Sequence, residues 1–415
     1  MVGRLLIIAG LAGFTTAAAQ VPVIPNRHPN VAAALVHLRS NNEWTLEQQR
    51  SICEIPAPPF KEANRALEFQ RRLRDLGLTT VRIDEVGNVI AVREGRGSGP
   101  RVVLAAHLDT VFPEGTDVTT SRSGTRLSGP GIADDCRGLA VLLAVARALN
   151  ESAVTTDGAI ILVGTVGEEG EGNLRGVRHL FEQQSAGAID FFISVDGAGY
   201  GTTNGATGSH RYRITMTGPG GHSYGAFGMP NPIHALGRVI TKIAEFSVPS
   251  QPKTTFNVGV ITGGTSVNSI AFSAALDVDL RSESQVELDR LDGMLKSSLA
   301  AAVNEEKARW PQSTVPLTAA MEQIGKRPAG LTPAGSRIVR TALAAAGAVG
   351  AQSQLSTSST DANIPISLGI PAIAIDGGGD GRGAHSLDEW YDDGDSGWRG
   401  PQWALLIVTA LAGVR

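Results

Sequence analysis

The chain has 415 residues, 42% of them hydrophobic and 18% charged, with a formal net charge of −4. This suits a soluble globular enzyme long enough for two domains and a large core. The acidic balance and the lack of any Lys/Arg run exclude a nucleic-acid partner, which would need a basic stripe.

The first stretch reads as a signal peptide. Arg4 supplies the positive region, residues 5–14 the apolar core, and Ala17-Ala18-Ala19 a small-residue cleavage site before Gln20. The apolar core is too short to span a bilayer, and no Cys follows the site to carry a lipid anchor. The expectation is a leader over 1–19 and a secreted or periplasmic protein with no membrane segment in its mature form. Cys53 and Cys136 could pair in an oxidising compartment, but two separate small buried thiols are the expectation.

Residues 32–39 and 45–53 read as helices, the second stopped by Pro56, Pro58 and Pro59. Residues 62–76 form an amphipathic helix ended by Gly77, and 79–92 alternate like two strands turning at 84–88. The apolar run 101–106 has the length of a buried strand and ends in His107-Leu108-Asp109. A glycine-rich turn, Gly129-Pro130-Gly131-Ile132-Ala133-Asp134-Asp135, precedes an apolar helix over 138–149. Strands over 158–166 and 190–195 end in Gly167-Glu168-Glu169-Gly170 and Asp196, with a helix over 176–184 between them. Such alternation argues for an α/β sheet.

Near Thr202 the character changes. Strand 211–217, helix 232–246, strands 255–261 and 274–281, and helix 285–306 have the pattern of a small α+β layer. Residues 311–331 read as a connector, followed by helix 332–346, strand 370–375 and a closing helix 396–414. The expected organisation is a catalytic domain in two parts, 20–208 and 319–415, interrupted by an inserted domain over 209–318.

Alternate residues of an extended chain share a face, so His107 and Asp109 can project together, with the acid placed to orient the imidazole. A lone His-x-Asp is usually a surface turn, and tandem acids are usually solvated. Here, however, four apolar strands end in such residues: His107 with Asp109, Glu168 with Glu169, Asp196, and the strand before His385. Sites in open α/β sheets gather beyond the carboxyl ends of the strands. Imidazoles and carboxylates without thiolates suit Zn²⁺, and also Mn²⁺ or Co²⁺. Two His and three acids suffice for two ions if one carboxylate bridges. One acid must stay free as a base, and adjacent Glu168 and Glu169 diverge enough to divide those roles.

These motifs resemble the co-catalytic di-zinc exopeptidase family that includes tripeptide aminopeptidase, carboxypeptidase G, aminoacylase and succinyl-diaminopimelate desuccinylase. The resemblance covers nearly the whole chain after the leader. It implies a zinc-exopeptidase-like α/β catalytic domain, a mixed sheet flanked by helices, interrupted by a ferredoxin-like dimerisation domain. It implies that His107 and Asp196 hold one zinc, that Glu169 and His385 hold the other, and that Asp134 bridges. Asp109 would orient His107, and Glu168 would act as general base and later proton donor. In a homodimer His222 would reach the partner's active site, while Asn268 and Arg281 would contact substrate, Arg281 through a carboxylate. The family also holds the bond after the bridging acid in cis. This chain departs from the family at Cys136-Arg137-Gly138, where Lys then Gly or Ala is usual.

The expected activity is cleavage of an amide bond in short peptides or amino-acid conjugates. Asp rather than Glu at position 196 resembles the aminopeptidases and points to di- or tripeptides. The alternatives are an N-acyl amino acid amidohydrolase or carboxypeptidase, and a metal-free binding protein of the same fold. A serine hydrolase is not the expected class.

Overall fold

The computed structural model describes residues 22–184 and 186–415; the leader expected over 1–19 lies outside the described residues. Its centre is a nine-stranded mixed sheet. In spatial order, strands Thr80–Ile83, Val89–Arg93, Ile160–Thr165, Val102–His107, Phe191–Val195, Ala372–Ile375, Thr202–Ala206 and Gly330–Leu331 lie side by side, and Leu355–Ser358 joins Thr202–Ala206. The four inner strands 160–165, 102–107, 191–195 and 372–375 run parallel.

Those inner strands are apolar throughout because both faces are covered. Val102, Leu104 and Ala106 enter one core cluster, with helices Cys136–Glu151 and Arg399–Ala412. Val103 and Ala105 enter another on the opposite face, with Val177 and Leu180 of helix Arg175–Glu182. All six residues of Val102–His107 are buried, which carries the His107 side chain to the sheet edge already desolvated.

The smaller unit has its own sheet and its own core. Strand Gly208–Thr217, helix Pro232–Ala244, strands Thr254–Gly263 and Ser273–Ser282, helix Gln285–Arg309 and strand Thr318–Arg327 follow in sequence. The sheet order is 254–263, 273–282, 208–217, 318–327, all antiparallel, which is the ferredoxin-like arrangement. Residues 318–327 therefore correct the connector expected there: they are the fourth strand, and the sheet runs past position 318. Strand Ser273–Ser282 alternates strictly, even positions buried against both helices and odd positions facing outward.

A third sheet of three-residue strands was not anticipated. Ser121–Ser123, Arg126–Ser128, Trp390–Asp392 and Asp380–Arg382 pair antiparallel and bring the turn at 129–135 beside the loop carrying His385. Cys53 and Cys136 are disulfide-bonded, with Cα atoms 5.5 Å apart, which corrects the expectation of separate thiols. No helix among the described residues is long and apolar enough to cross a membrane.

Candidate active site

Donor atoms of His107, Asp134 and Glu169 all lie within 4.8 Å of one another. The His107 Nδ1–H donates to the main-chain oxygen of Asp109 at 3.0 Å, which turns Nε2 toward Asp134 Oδ1, also at 3.0 Å. The Asp109 carboxylate stands farther from the ring, at 3.8 Å. Its two oxygens instead accept from the Glu168 and Glu169 N–H groups, at 3.0 and 2.8 Å. Asp109 thus orients His107 through its main-chain oxygen, while its carboxylate ties the end of one strand to the turn after the next, which corrects the expectation that the carboxylate itself holds the ring.

Asp134 occupies the turn before helix Cys136–Glu151, and its peptide bond to Asp135 is cis. Asp135 caps that helix, accepting from Gly138 N at 2.9 Å, while its other oxygen accepts from His107 N at 3.0 Å. A Cβ at position 138 would meet the Asp135 carboxylate at 2.3 Å, so glycine is required there. The two oxygens of Asp134 face different imidazoles: His107 at 3.0 Å and His385 Nε2 at 3.2 Å. His385 Nε2 also lies 3.0 Å from Glu169 Oε1.

A carboxylate with one oxygen toward each of two imidazoles is the disposition a bridging ligand needs, and nitrogen and oxygen donors without thiolate suit zinc, manganese or cobalt. Asp196 follows the strand Phe191–Val195 and lines the same cavity as Asp134, Glu168, Glu169 and His385. That cavity has a volume of about 790 Å³ and lies between the catalytic sheet and the smaller unit.

The electrostatics of so many acids in one place are uneven. Burial works against the charged His107 ring, but Asp134, Asp135 and Asp109 overcome it and hold the imidazole well above its usual value. Hydrogen bonds to Asp134 and Glu169 push His385 up to about 10. Burial, then the charge of Asp134, raises the Asp196 carboxyl well above the usual range. Asp134, despite its burial, is held below that range by His107 and His385. Strongly perturbed groups gathered in one cavity mark a candidate functional site.

Glu168 and Glu169 are both buried, and they diverge as expected. Glu169 meets His385, whereas Glu168 Oε1 accepts from Arg327 Nη1 at 2.9 Å. Arg327 also donates to the Glu168 main-chain oxygen and, at 2.9 Å, to Ser359 Oγ. It is the last residue of the strand that had been expected as connector.

Two further residues escaped sequence reasoning. Glu389 is fully buried and accepts from Gly131 N at 3.0 Å, Ala133 N at 2.7 Å and Asp134 N at 2.9 Å, fixing the turn that carries Asp134. Its only signal in the sequence was its place four residues after His385. Asp361 is buried behind the site, with Oδ2 accepting from Thr165 Oγ1 at 2.5 Å.

Arg137, the departure noted above, is fully buried away from the cavity lining. It donates to the carbonyls of Gly377 and Gly397, both at 2.8 Å, and lies over the Tyr391 ring. Its charge secures the glycine-rich loop before His385.

The residues expected to contact substrate divide. Arg281 lines the cavity. His222 ends the short strand Gly221–His222 and Asn268 immediately precedes its partner Ser269–Ile270; both are exposed, Ser223 N donates to Asn268 O at 2.9 Å, and neither lines the cavity of this chain.

Sequence comparison agrees with this geometry. The chain is 28% identical over 356 residues to a protein of Mycobacterium tuberculosis provisionally named a succinyl-diaminopimelate desuccinylase, spanning 83% of this chain and 92% of that one. It is 29% identical over 226 residues to carboxypeptidase G2 of a Pseudomonas species, spanning 51% of this chain and 53% of that one. In fold it is similar to an aminopeptidase from Bacillus cereus, with a TM-score of 0.71 at 20% identity over 90% of this chain and 98% of the other. The sequence profile of peptidase family M20/M25/M40 matches residues 103–398, a span that contains His107, Asp134, Glu169, Asp196 and His385, and the chain belongs to that family of metal-dependent amide hydrolases.

Proposed function

We propose that the protein is a di-zinc aminopeptidase acting on di- or tripeptides, with His107 and Asp196 holding one ion, Glu169 and His385 the other, and Asp134 between them. The observation that carries this reading is the arrangement of Asp134, one oxygen toward each imidazole, beside a buried glutamate whose Oε1 accepts from Arg327. Bound divalent ions would supply Lewis-acid polarisation of the scissile carbonyl and lower the pKa of the attacking water, which on a single zinc falls from about 15.7 to about 7.

Glu168 takes a proton from that water and returns it to the amine nitrogen as the C–N bond breaks. Without cations nearby, burial pushes Glu168 up to about 8 against the pull of Arg327. Positive charge in the donor pocket favours its carboxylate form and makes it a base at neutral pH. Arg327 fixes the Oε1 side of the carboxylate, leaving Oε2 for the water.

Aspartate at position 196 and the aminopeptidase-like fold support action on peptides with a free amino terminus. The desuccinylase and carboxypeptidase relatives favour a second reading, an N-acyl amino acid amidohydrolase or carboxypeptidase. Comparing a tripeptide with its N-acetylated form separates them: preferential cleavage of the free-amine substrate is expected, and preference for the acetylated one defeats the aminopeptidase reading.

The same proposal includes export and a homodimer. The Cys53–Cys136 disulfide supports an oxidising compartment. Recovery of a chain beginning near Gln20 outside the cytoplasm is expected; full-length chain retained inside would count against it. The strand Thr254–Gly263 is paired on one side only and exposes Val260 and Ile261 beside Ile233, an unprotected edge that a second copy would cover. Light scattering should return twice the chain mass, and a monomer would remove the basis for His222 acting across subunits.

A further inference from the structure

The outward face of the smaller sheet carries cross-strand ion pairs, and they are not alike. Arg213 stands opposite Asp277 and pairs with it one to one, at 2.9 and 2.8 Å, outside the cavity lining. The next pair along, Arg211 opposite Asp279, has a third member. Asp279 Oδ1 accepts from Arg211 Nε at 3.0 Å, and its Oδ2 accepts from Arg281 Nε at 2.7 Å. One carboxylate therefore holds two guanidinium groups, and the excess positive charge lies where the sheet faces the active site. A simple ladder of surface ion pairs would repeat the one-to-one arrangement.

The position of Arg211 is also informative. Its Nη1 lies 3.4 Å from the carbonyl oxygen of Gly170, one residue beyond Glu169. Arg211, Arg281 and Lys253 line the cavity that contains Asp134, Glu168, Glu169, Asp196 and His385. Among the described residues the terminal nitrogens of Arg281 make no hydrogen bond or ion pair, and neither does Nζ of Lys253. Two acids share this lining outside the cluster: Glu283 accepts from Lys253 N at 3.1 Å, and Asp376 accepts from Gly201 N at 2.6 Å. Because Asp279 engages each Nε, both guanidinium groups are held in place, and both terminal nitrogens of Arg281 together with Nη2 of Arg211 remain available to a carboxylate. Side chains already held in place lose little freedom when an anion arrives.

We propose that Arg211, held beside Arg281 by Asp279 and supported by Lys253, forms an anion subsite that selects amide substrates carrying two carboxylates, so that an acidic residue adjoins the scissile bond. This deepens the hydrolase reading and rests on it. Arg281 takes one carboxylate, and Arg211 with Lys253 takes the other.

The test uses the metal-loaded protein and substrate pairs that differ only in charge: alanyl-glutamate against alanyl-glutamine, and N-acetyl-glutamate against N-acetyl-glutamine. The acid member of the cleaved pair should have a kcat/KM at least about tenfold higher, expressed mainly in KM, as for a charge-assisted hydrogen bond. Arg211→Gln should bring the ratio near one, Arg211→Lys should leave it between, and Arg213→Gln should leave it unchanged. A wild-type ratio of one or below, or an Arg211→Gln enzyme that keeps the preference, overturns the subsite. Calorimetric binding of glutarate against its monoamide to the wild-type protein reads the same selectivity without turnover or variants. Glutarate binding at least about tenfold tighter supports the subsite, and equal binding overturns it. Tighter glutarate binding with no cleavage of any pair would sink the hydrolase reading and leave the subsite standing.

Discussion

Glu168 and Glu169 are neighbours in the chain, yet one faces an arginine and the other an imidazole. That divergence is the basis for separating base from ligand. Glu168→Gln keeps the volume and removes the proton acceptor, so turnover should fall by about 10²–10⁴-fold, the range general-base catalysis supplies. Metal content measured on the same preparation should be unchanged. Retained activity would mean that another group takes the proton. At this scale the meeting of His107, Asp134 and Glu169 was legible because His107 and Glu169 follow apolar runs and Asp134 closes a glycine-rich turn. Glu389 and Arg327 were not legible, since their partners lie 255 and 159 positions away. A glutamate that accepts from three main-chain N–H groups looks in sequence like any surface acid.

Elements with a strong period were readable: the buried strands, the amphipathic helix Ala63–Asp75 and the alternating strand Ser273–Ser282 match the pattern that burial imposes. Thr318–Arg327 was missed because it is an edge strand, mostly exposed along its length, and so has no apolar alternation. The three-residue strands around Trp390 are too short to show any period. The disulfide was equally hidden, because a separation of 83 residues says nothing about distance in space. It joins the end of helix Asn42–Cys53 to the start of helix Cys136–Glu151, beside the turn bearing Asp134. Constraining an unfolded loop of that length is worth about 4.5 kcal/mol in the chain-entropy account. Cys53→Ser should lower unfolding free energy by roughly that amount in denaturant titration. Equal stability with and without reductant would show that the bond constrains nothing in solution.

The whole molecule has separate cores for the catalytic sheet and the smaller unit, with the basic wall of one facing the acidic cluster of the other. Concentrating acids in the catalytic unit has a consequence for pH. Burial raises Asp109 to about 6, Glu389 to about 7 and Glu168 to about 8, against roughly 4 in an unfolded chain. Groups raised on folding bind protons that the unfolded chain releases. Their stabilising contribution is complete below about pH 4 and is lost as pH rises through 6 to 8. His385, raised to about 10 by Asp134 and Glu169, acts in the same direction; Asp134, held low, acts in the opposite one only at acid pH. The thermal midpoint of metal-stripped protein should therefore fall between pH 5 and pH 8, and saturating zinc should flatten the curve. A midpoint that rises across that window would contradict the charge assignment.

Everything in the catalytic reading depends on the cluster holding a pair of ions. Elemental analysis of the purified chain, reconstituted with zinc and freed of excess metal, measures that directly. The account predicts two zinc ions per chain, falling below one in Asp134→Ala because both ions lose a ligand. A wild-type chain that retains no zinc, or an Asp134→Ala chain that still retains two, would contradict it.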